Sequence, residues 1–363
     1  MKKLDSILLI KLISLVLLLA FSSQVYADYK KVKITNLNLN RQAEIITHPL
    51  LPSISHRGFI WNDGDNNTLE WRPQGIAGIA LEGRKFLAVT WYHLDETKGA
   101  RISLVDITDM TNIRYRHVLL VDQNRETLVD LHAGGLVYKS GYFHVPDSRS
   151  SSNYQVLKFS INDILEVPGG SRNQFHNYRY IMEVKDTYSV NRKPSFMSYD
   201  WTRGQIVYGS FYDCSGIKPH SDSLNCLTQN PTQHQVAYYD IGNAKNESSV
   251  STLFTEMQGV GTHAGKVYVS CSYGSRYNSH FHYADALYDL ENSHNLALWN
   301  SLYKTFILPP GLEDIHVSLT SNNIWTLTEF APGESGSFVN NRIVFAIDRD
   351  YLDLIEFDPE ALH

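Results

Sequence analysis

Apolar and polar positions along the chain recur as five copies of one pattern. Each copy begins with a polar residue, continues as a short apolar or small-residue stretch, turns at Gly or Asn, and resumes as a stretch rich in β-branched and aromatic residues. Such paired stretches are typical of two strands joined by a tight turn. The leading polar residues are Gln74, His132, Ser195, Gln258 and Glu313. They recur every 55 to 63 positions, a period that indicates a repeat architecture.

Two further strand-like stretches follow each of the first three copies, so that one repeat has four strands. These stretches are ARISLVDI and YRHVLLVD after the first copy, YQVLKFSI and YRYIMEVK after the second, and QVAYYDIG and VSTLFTE after the third. Four strands per repeat are typical of a propeller blade. The sequence therefore predicts an all-β fold, a single β-propeller over residues 28–363 with five four-stranded blades. A six-bladed ring is the alternative.

The last two copies depart from this pattern. The fourth carries a stretch rich in His and Tyr at residues 279–300, which we interpret as an insertion, before the strand KTFILPP. The fifth has NRIVFAID as its third strand and no clear fourth strand after it. We expect KKVKITNL, residues 30–37, to supply the missing strand, because a strand from the other terminus would close the ring and leave no long open edge.

Residues 1–27 predict a secretory signal peptide. A basic start at residues 1–3 precedes an apolar run at 7–21, and a small-residue cleavage site ends at Ala27. No later stretch approaches the roughly 18 to 20 apolar residues that a membrane span needs. We therefore expect a secreted or periplasmic protein with no membrane span; an uncleaved N-terminal anchor is the alternative.

Charge and cysteine content narrow the partners and the compartment. The formal net charge is -6, and no basic run stands out, so nucleic acid is not an expected partner. Cys214 and Cys226 flank a turn-rich stretch, and in an exported protein they are predicted to form a disulfide. Two free thiols are the alternative.

Several fragments resemble secreted bacterial proteins of the five-bladed β-propeller type, a group that includes actinomycete members and has no characterised reaction. The fragments are RPQGIAG, FLAVTWYH, HAGGLVY, MQGVGTHAGKVYVSCSYG and WTLTEF, and the resemblance covers roughly residues 70–350. It implies secretion and the propeller fold. A weaker similarity to plant-type glutaminyl cyclases and arabinanases is an analogy of fold.

Two sets of polar and aromatic residues are predicted to meet at one mouth of the central channel. The first set is the five leading residues, because the first strand of each blade lines the channel. The second set follows the second strand of each blade and comprises Trp91, Tyr92, His93, Asp147, Tyr212, Asp213, Tyr273 and Glu329. Carboxylates and an imidazole suit acid–base chemistry, and aromatic faces suit the stacking of sugar rings. Channel hydration and blade packing are the alternative roles for these residues.

Metal binding has no specific motif in this sequence, and whether a cofactor is needed is unknown. A divalent metal would have to use His132 with Glu313, or the His-rich stretch with His280, His282, Asp285 and His294. The acidic sequence at residues 63–67 lacks the distal Glu of a calcium-binding EF-hand and is interpreted as a polar turn.

Three functions remain open from the sequence. The first is binding of a small polar molecule, a carbohydrate or a peptide at the mouth. The second is a hydrolase, lyase or cyclase that uses Glu313 and His132 as catalytic residues. The third is a protein-interaction scaffold on the outer blade surfaces. An enzyme requires Glu313 to lie within hydrogen-bond reach of a second titratable group. The oligomeric state is not predicted.

Overall fold

The computed structural model describes residues 29–46, 52–95, 97–150, 152–201, 203–211, 235–240, 243–251, 256–284, 303–334 and 340–354. The N-terminal strands are β1 (Lys30–Val32), β2 (Arg41–Gln42), β3 (Glu44–Ile46) and β4 (Ser55–Ile60). Two short α-helices, α1 (Asp63–Asn66) and α2 (Arg349–Leu354), and two 3-10 helices, Ile34–Asn36 and Gly169–Phe175, complete the helical elements of this part of the chain.

Antiparallel four-stranded blades follow the N-terminal strands in chain order. Blade 1 comprises β5 (Trp71–Leu81), β6 (Arg84–His93), β7 (Ala100–Asp106) and β8 (Arg114–Val121). Blade 2 comprises β9 (Val137–Lys139), β10 (Tyr142–Asp147), β11 (Gln155–Glu166) and β12 (Tyr180–Ser189). Blade 3 comprises β13 (Phe196–Asp200), β14 (Gln205–Gly209), β15 (Gln235–Asp240) and β16 (Asn243–Ser251). Blade 4 comprises β17 (Met257–His263), β18 (Lys266–Cys271), β19 (Ser279–Ala284) and β20 (Tyr303–Leu308). Blade 5 comprises β21 (Leu312–Val317), β22 (Asn323–Thr328), β23 (Ile343–Asp348) and the N-terminal β4. The chain is thus a five-bladed β-propeller, as the repeat pattern predicts.

An N-terminal strand closes the ring, but it is not the predicted one. β4 pairs antiparallel with β23, with Phe59 opposite Val344, and supplies the fourth strand of blade 5. The predicted segment instead forms β1, which pairs with β11 at the edge of blade 2, with Lys31 opposite Leu165. The expectation for residues 30–37 was therefore wrong. The reason is burial: Phe59 is fully enclosed in the core, whereas the lysines of β1 remain exposed.

Two strand assignments are also corrected. The stretch at residues 279–300 is not wholly an insertion, because its first six residues form β19, which pairs with both β18 and β20. In blade 3 the fourth strand is β16, which begins before the predicted stretch VSTLFTE and ends at Ser251.

Apolar side chains pack between the faces of neighbouring blades. Phe86 of blade 1 and Phe143 of blade 2 belong to one buried cluster. Trp91 of blade 1 and Trp325 of blade 5 belong to another. Strand 2 of each blade is buried along nearly its whole length, as expected for a sheet that is covered on both faces.

Glycines let the inner strands approach one another closely. A Cβ atom added to Gly75 would meet the backbone of Gly135 at less than 3.0 Å, and one added to Gly135 would meet the backbone of Met197 at less than 3.0 Å. A Cβ on Gly259 would lie 2.8 Å from Ile315 N. Blades 1 to 3, and likewise blades 4 and 5, therefore meet backbone to backbone around the axis.

Side-chain oxygens join these inner strands. Thr90 Oγ1 donates to the carbonyl of Ala133 at 2.8 Å, and Ser270 Oγ donates to the carbonyl of Glu313 at 2.8 Å. The fully buried Asp314 accepts from Ile76 N and Leu136 N, each at 3.2 Å. One carboxyl group thereby links blades 1, 2 and 5.

No helix in the described ranges is both long and apolar enough to cross a bilayer.

We expect G135A to destabilise the fold by about 1 to 3 kcal/mol or more, because overpacking a rigid backbone contact costs about that much. G169A is the matched control, since a Cβ on Gly169 meets nothing within 4 Å. Urea unfolding curves of both variants measure the effect. Equal stability of the two variants would contradict the close-packed arrangement of the inner strands.

Candidate functional site

Two glutamates of blade 5 form a hydrogen-bonded carboxyl pair at one mouth of the channel. Glu313 lies on β21, and Glu329 immediately follows β22. Both are buried, Glu313 at 1 % exposure. A register irregularity between Leu312 and Ile315 interrupts the pairing of β21 with β22 at this point. Such bulges re-aim side chains, and this one places Glu313 beside Glu329 while the next residue, Asp314, points into the axis.

The two carboxyl groups differ in their electrostatic surroundings. Burial raises the pKa of Glu313 well above its usual range, and the negative charge of Glu329 raises it further. Burial also raises the pKa of Glu329, but Arg72, the Tyr92 hydroxyl and Arg342 oppose that shift. The shared proton therefore resides on Glu313, and Glu329 is the carboxylate. Because the groups interact strongly, their titration belongs to the pair.

Arg72 and Tyr92, both from blade 1, hold the carboxylate of Glu329. The Tyr92 hydroxyl donates to Glu329 Oε1 at 3.0 Å, and Arg72 Nη1 lies 3.5 Å from the same oxygen. Arg72 also pairs with Glu334 and packs over the ring of Phe330 at 5.2 Å. The cluster thus spans the junction of blades 1 and 5.

His132 extends the cluster toward solvent. Its ring stacks on that of Tyr92, with centroids 4.0 Å apart and an interplanar angle of 28°. His132 keeps an exposed surface, but desolvation of its ring by the surrounding protein, together with the positive charges of Lys193 and Arg72, lowers its pKa from the usual value. It is therefore a neutral imidazole at pH 7. The following residue, Ala133, has φ 53, a left-handed conformation that turns the chain into the inner region of blade 2.

The structure thus brings four of the predicted residues together: Glu313, Glu329, Tyr92 and His132. Of the other leading residues, Gln74 is buried, and Ser195 and Gln258 are half-buried. In the described ranges, no hydrogen bond joins these three side chains to the carboxyl pair. Their role in ligand binding stays a prediction.

Asp147 and Tyr273 lie at the ends of their strands but in separate local contacts. Asp147 is bound by the guanidinium of Arg149, with Nη2 and Oδ2 2.6 Å apart. Tyr273 lies 6.3 Å from the ring of Tyr277. Ligand contacts for these residues also remain predictions.

Trp91 and His93 do not face the mouth as predicted. Trp91 is fully buried in the core between blades 1 and 5, with its ring 4.8 Å from that of Trp61. His93 is 1 % exposed, packs edge-on against Trp71 and contacts Glu70 at 3.4 Å. The alternation of side chains along β6 explains the error, because Tyr92 points to the opposite face from its two neighbours.

Some predictions fall outside the described residues. These are the contacts of Tyr212 and Asp213, the disulfide between Cys214 and Cys226, and the metal candidates Asp285 and His294. Within the described ranges, Cys271 is a buried free thiol, and no group of three or more His, Cys, Asp or Glu residues could hold a metal ion. His282 Nδ1 lies 3.0 Å from Thr305 Oγ1.

Sequence analysis missed Arg72, Glu334 and Arg342. Arg342 Nε donates to the carbonyl of Glu329 at 2.7 Å and so fixes the backbone of the carboxylate. Arg72 precedes the leading residue Gln74 by two positions. An arginine at the start of an inner strand, two residues from a leading residue, is a signal that could have identified Arg72 as a site residue. Glu334 lies in a loop and carries no comparable signal.

A separate cavity of about 320 Å³ lies at the opposite mouth, where the inner strands end. His316, Trp201, Tyr138 and Trp325 contribute to its lining. Burial lowers the pKa of His316 to about 4, so this imidazole is neutral. In the described part of this lining there is no Asp or Glu, which distinguishes this cavity from the carboxyl pair.

The fold and the site define a five-bladed propeller with an acid–base cluster at one mouth. No protein-family model matches the sequence, and no curated protein matches it.

Several solved structures are similar in fold. A GH43_1 enzyme from Xanthomonas citri complexed with xylose is 12% identical, with a TM-score of 0.41 and coverage of 84% of this chain and 90% of that chain. CoXyl43, a GH43 beta-xylosidase/alpha-arabinofuranosidase from a compost microbial metagenome, is 9% identical, with a TM-score of 0.42 and coverage of 88% and 95%. A luciferin-regenerating enzyme is 12% identical, with a TM-score of 0.36 and coverage of 84% and 95%. These values concern fold and transfer no residue role.

We expect E313Q to remove a pH-dependent loss of stability. The raised pKa of Glu313 in the folded chain means that ionisation favours unfolding. The stabilisation that protonated Glu313 provides is therefore complete below the pKa of a glutamate in the unfolded chain, about 4.3. It is lost as the pH rises through the pKa of Glu313 in the folded chain. The stability difference between E313Q and wild type should shift in favour of E313Q by up to about 1.4 kcal/mol per pH unit across that window.

Urea unfolding from about pH 4 to about pH 8 measures this difference. The exposed Glu44 supplies the control, because E44Q removes a carboxylate outside the pair. A pH-independent difference for E313Q would show that the proton is not held on this group.

Proposed function

We propose that this protein is an exported propeller that binds a small polar ligand, a carbohydrate in the first instance, at the mouth formed by blades 1, 2 and 5. The observation that carries the proposal is the carboxyl pair of Glu313 and Glu329, buried beside the exposed His132. Burying two carboxyl groups costs solvation free energy, and packing of the apolar core does not require them. Ligand binding would be a reason to retain the pair.

The cluster offers complementary hydrogen-bonding groups. The Glu329 carboxylate, with 11% side-chain exposure, is an acceptor, and Arg72 has guanidinium donors that retain 20% side-chain exposure. Sugar hydroxyls both donate and accept, so one ligand can bind both groups. The stacked rings of His132 and Tyr92 add a flat surface beside these groups, which suits the apolar face of a sugar ring.

Acid–base catalysis is the second candidate function, because one protonated and one ionised carboxyl group lie in contact. A general acid and a general base are the two groups that hydrolases and lyases need. The contact itself argues against a glycosidase mechanism in this conformation. Retaining glycosidases hold their carboxyl groups about 5 to 5.5 Å apart and inverting ones about 6.5 to 9.5 Å apart, whereas these two are hydrogen-bonded.

We expect E329Q to weaken ligand binding about tenfold or more, equivalent to about 1.4 kcal/mol, because the Arg72 and Tyr92 contacts lose their charged acceptor. Y92F is a milder variant that keeps the ring on His132 and removes the donor to Glu329, and it should weaken binding in the same direction. Calorimetric titration with arabinose, xylose and xylotriose supplies the measurement; the last two are bound in solved structures of similar fold.

E44Q is again the control and should bind as wild type does. Equal affinity of E329Q, Y92F and wild type for a sugar that binds would place the site elsewhere on the molecule. Failure of all three sugars to bind would contradict the carbohydrate assignment. Mass spectrometry of the titrated samples separates the two candidate functions, because cleaved sugar would favour catalysis.

Export predicts a mature chain that begins at Asp28. The signal-like residues 1–27 would then be absent from the exported protein, and its intact mass measures this. Retention of those residues in the exported form would favour the uncleaved anchor.

A further inference from the structure

A cavity of about 580 Å³ lies at the outer edge of blade 1 and shares no lining residue with the mouth cluster. β2 pairs with the first part of β8, at Arg114 and Tyr115, and β12 pairs with its last part, from Leu119 onward. The cavity opens between these two pairings. The loop that enters β12 covers it from the other side, with Tyr178 in the lining.

The lining of this cavity is strongly basic. Its cationic side chains are Arg41, Lys98, Arg101, Arg116 and Arg179. The lining residues, all of them described, include no Asp or Glu. The formal net charge of the chain is -6, so a cavity lined by five cations differs in sign from the chain as a whole.

Carboxylates behind the lining neutralise only part of this charge. Asp65 pairs with Arg41 at 2.8 Å and with Arg101 at 3.0 Å. Glu70 pairs with Lys98 at 3.2 Å, and Arg179 pairs with a carboxylate on β11 at 2.7 Å. Four of the five cations thus share three carboxylates in these ion pairs, and Arg116 is the fifth.

Arg116 has no carboxylate partner among the described residues. Its guanidinium packs over the ring of Tyr180 at 5.2 Å. Burial lowers the pKa of Arg116, and the neighbouring Arg179 and Arg41 lower it further, so the charged guanidinium is destabilised by desolvation and by like charges. An anion bound in the cavity would offset this destabilisation.

Arg101 is a second guanidinium held at the cavity wall. It is 5% exposed and lies over the rings of Trp71 and Trp91, and its Nε is buried without a hydrogen-bond partner in the described structure. Buried guanidinium donors are normally satisfied. Its Nη2 is fixed by Asp65, so the fork of Arg101 is held rigidly at the cavity wall.

We propose that this cavity binds a phosphate- or sulfate-bearing ligand, with Arg116 as its principal charge partner. Arginine suits tetrahedral oxyanions because its planar fork can donate two parallel hydrogen bonds. The volume lies within the range of small-molecule sites, about 300 to 1,000 Å³, and so accommodates an organic group attached to the anion. Trp71 and Tyr178 in the lining provide aromatic surface for that group.

The experiment is a calorimetric titration of the wild-type protein with sodium phosphate, sodium sulfate, glucose 6-phosphate and glucose at matched ionic strength. We expect the three anions to bind and glucose not to bind at this site. Tighter binding of glucose 6-phosphate than of phosphate, with the difference lost in R116Q, would identify a phosphorylated organic molecule as the ligand class. Equal binding would identify the free oxyanion, and both results support the proposal.

R116Q should weaken anion binding about tenfold or more. R114Q is the matched control, because it removes the same charge from the same strand at an exposed position outside the cavity lining. K98Q, which removes another cation of the lining, should also weaken binding and keeps the test valid if R116Q fails to fold. Absence of anion binding to wild type, or an equal effect of R116Q and R114Q, would overturn the proposal.

Discussion

The buried carboxyl of Asp314 is the interaction on which the geometry of the ring depends. It accepts hydrogen bonds from the backbone of Ile76 in blade 1 and Leu136 in blade 2, while its own chain belongs to blade 5. A buried carboxyl without such donors would destabilise the fold by several kcal/mol. The three N–H groups around it, including that of Ile315 at 2.9 Å, therefore have to stay in register. The ring is fixed by a polar contact at its axis and by apolar contacts between its blades.

This constraint also explains how the mouth cluster is positioned. Glu313 is the residue before Asp314, and the irregularity in β21 lets consecutive acidic side chains point in different directions. One contacts backbone donors at the axis, and the other contacts Glu329 at the mouth. Because Asp314 is anchored to two other blades, Glu313 has little freedom to move away from its partner. The rigid scaffold therefore keeps Glu313 beside Glu329, and this proximity favours the state in which only one of the two carboxyl groups is ionised.

The propeller could be predicted from sequence because its repeat is local. Each blade is a run of consecutive strands whose alternation and turns are visible within some fifty residues, and the leading polar residues marked the inner strands. The origin of the closing strand could not be read in this way. Both candidate segments are short, and only long-range burial of Phe59 against blade 5 distinguishes β4 from β1.

Site residues could be predicted only where the position of a residue at the end of a strand fixes the face to which its side chain points. Tyr92 and Glu329 were found by their position after the second strand, whereas Trp91 and His93 were misplaced because a shift of one residue reverses the face.

The basic cavity shows a different limit of sequence analysis. Its cations stand at positions 41, 98, 101, 116 and 179, so no run of positive charge appears in the chain. Residues 63–67 were interpreted as a polar turn, but α1 forms there and buries the Asp65 carboxylate between blades 5 and 1. There His117 Nε2 lies 2.9 Å from it and the Tyr115 hydroxyl 2.6 Å. Burial would raise the pKa of Asp65, but His117 and the arginines keep it well below its usual range. Asp65 is therefore an anion that holds Arg41 and Arg101 in place at the cavity wall. A site whose cations are fixed by a buried counter-ion loses little conformational entropy when an anion binds, and this preorganisation is the physical basis for expecting measurable affinity from so few groups.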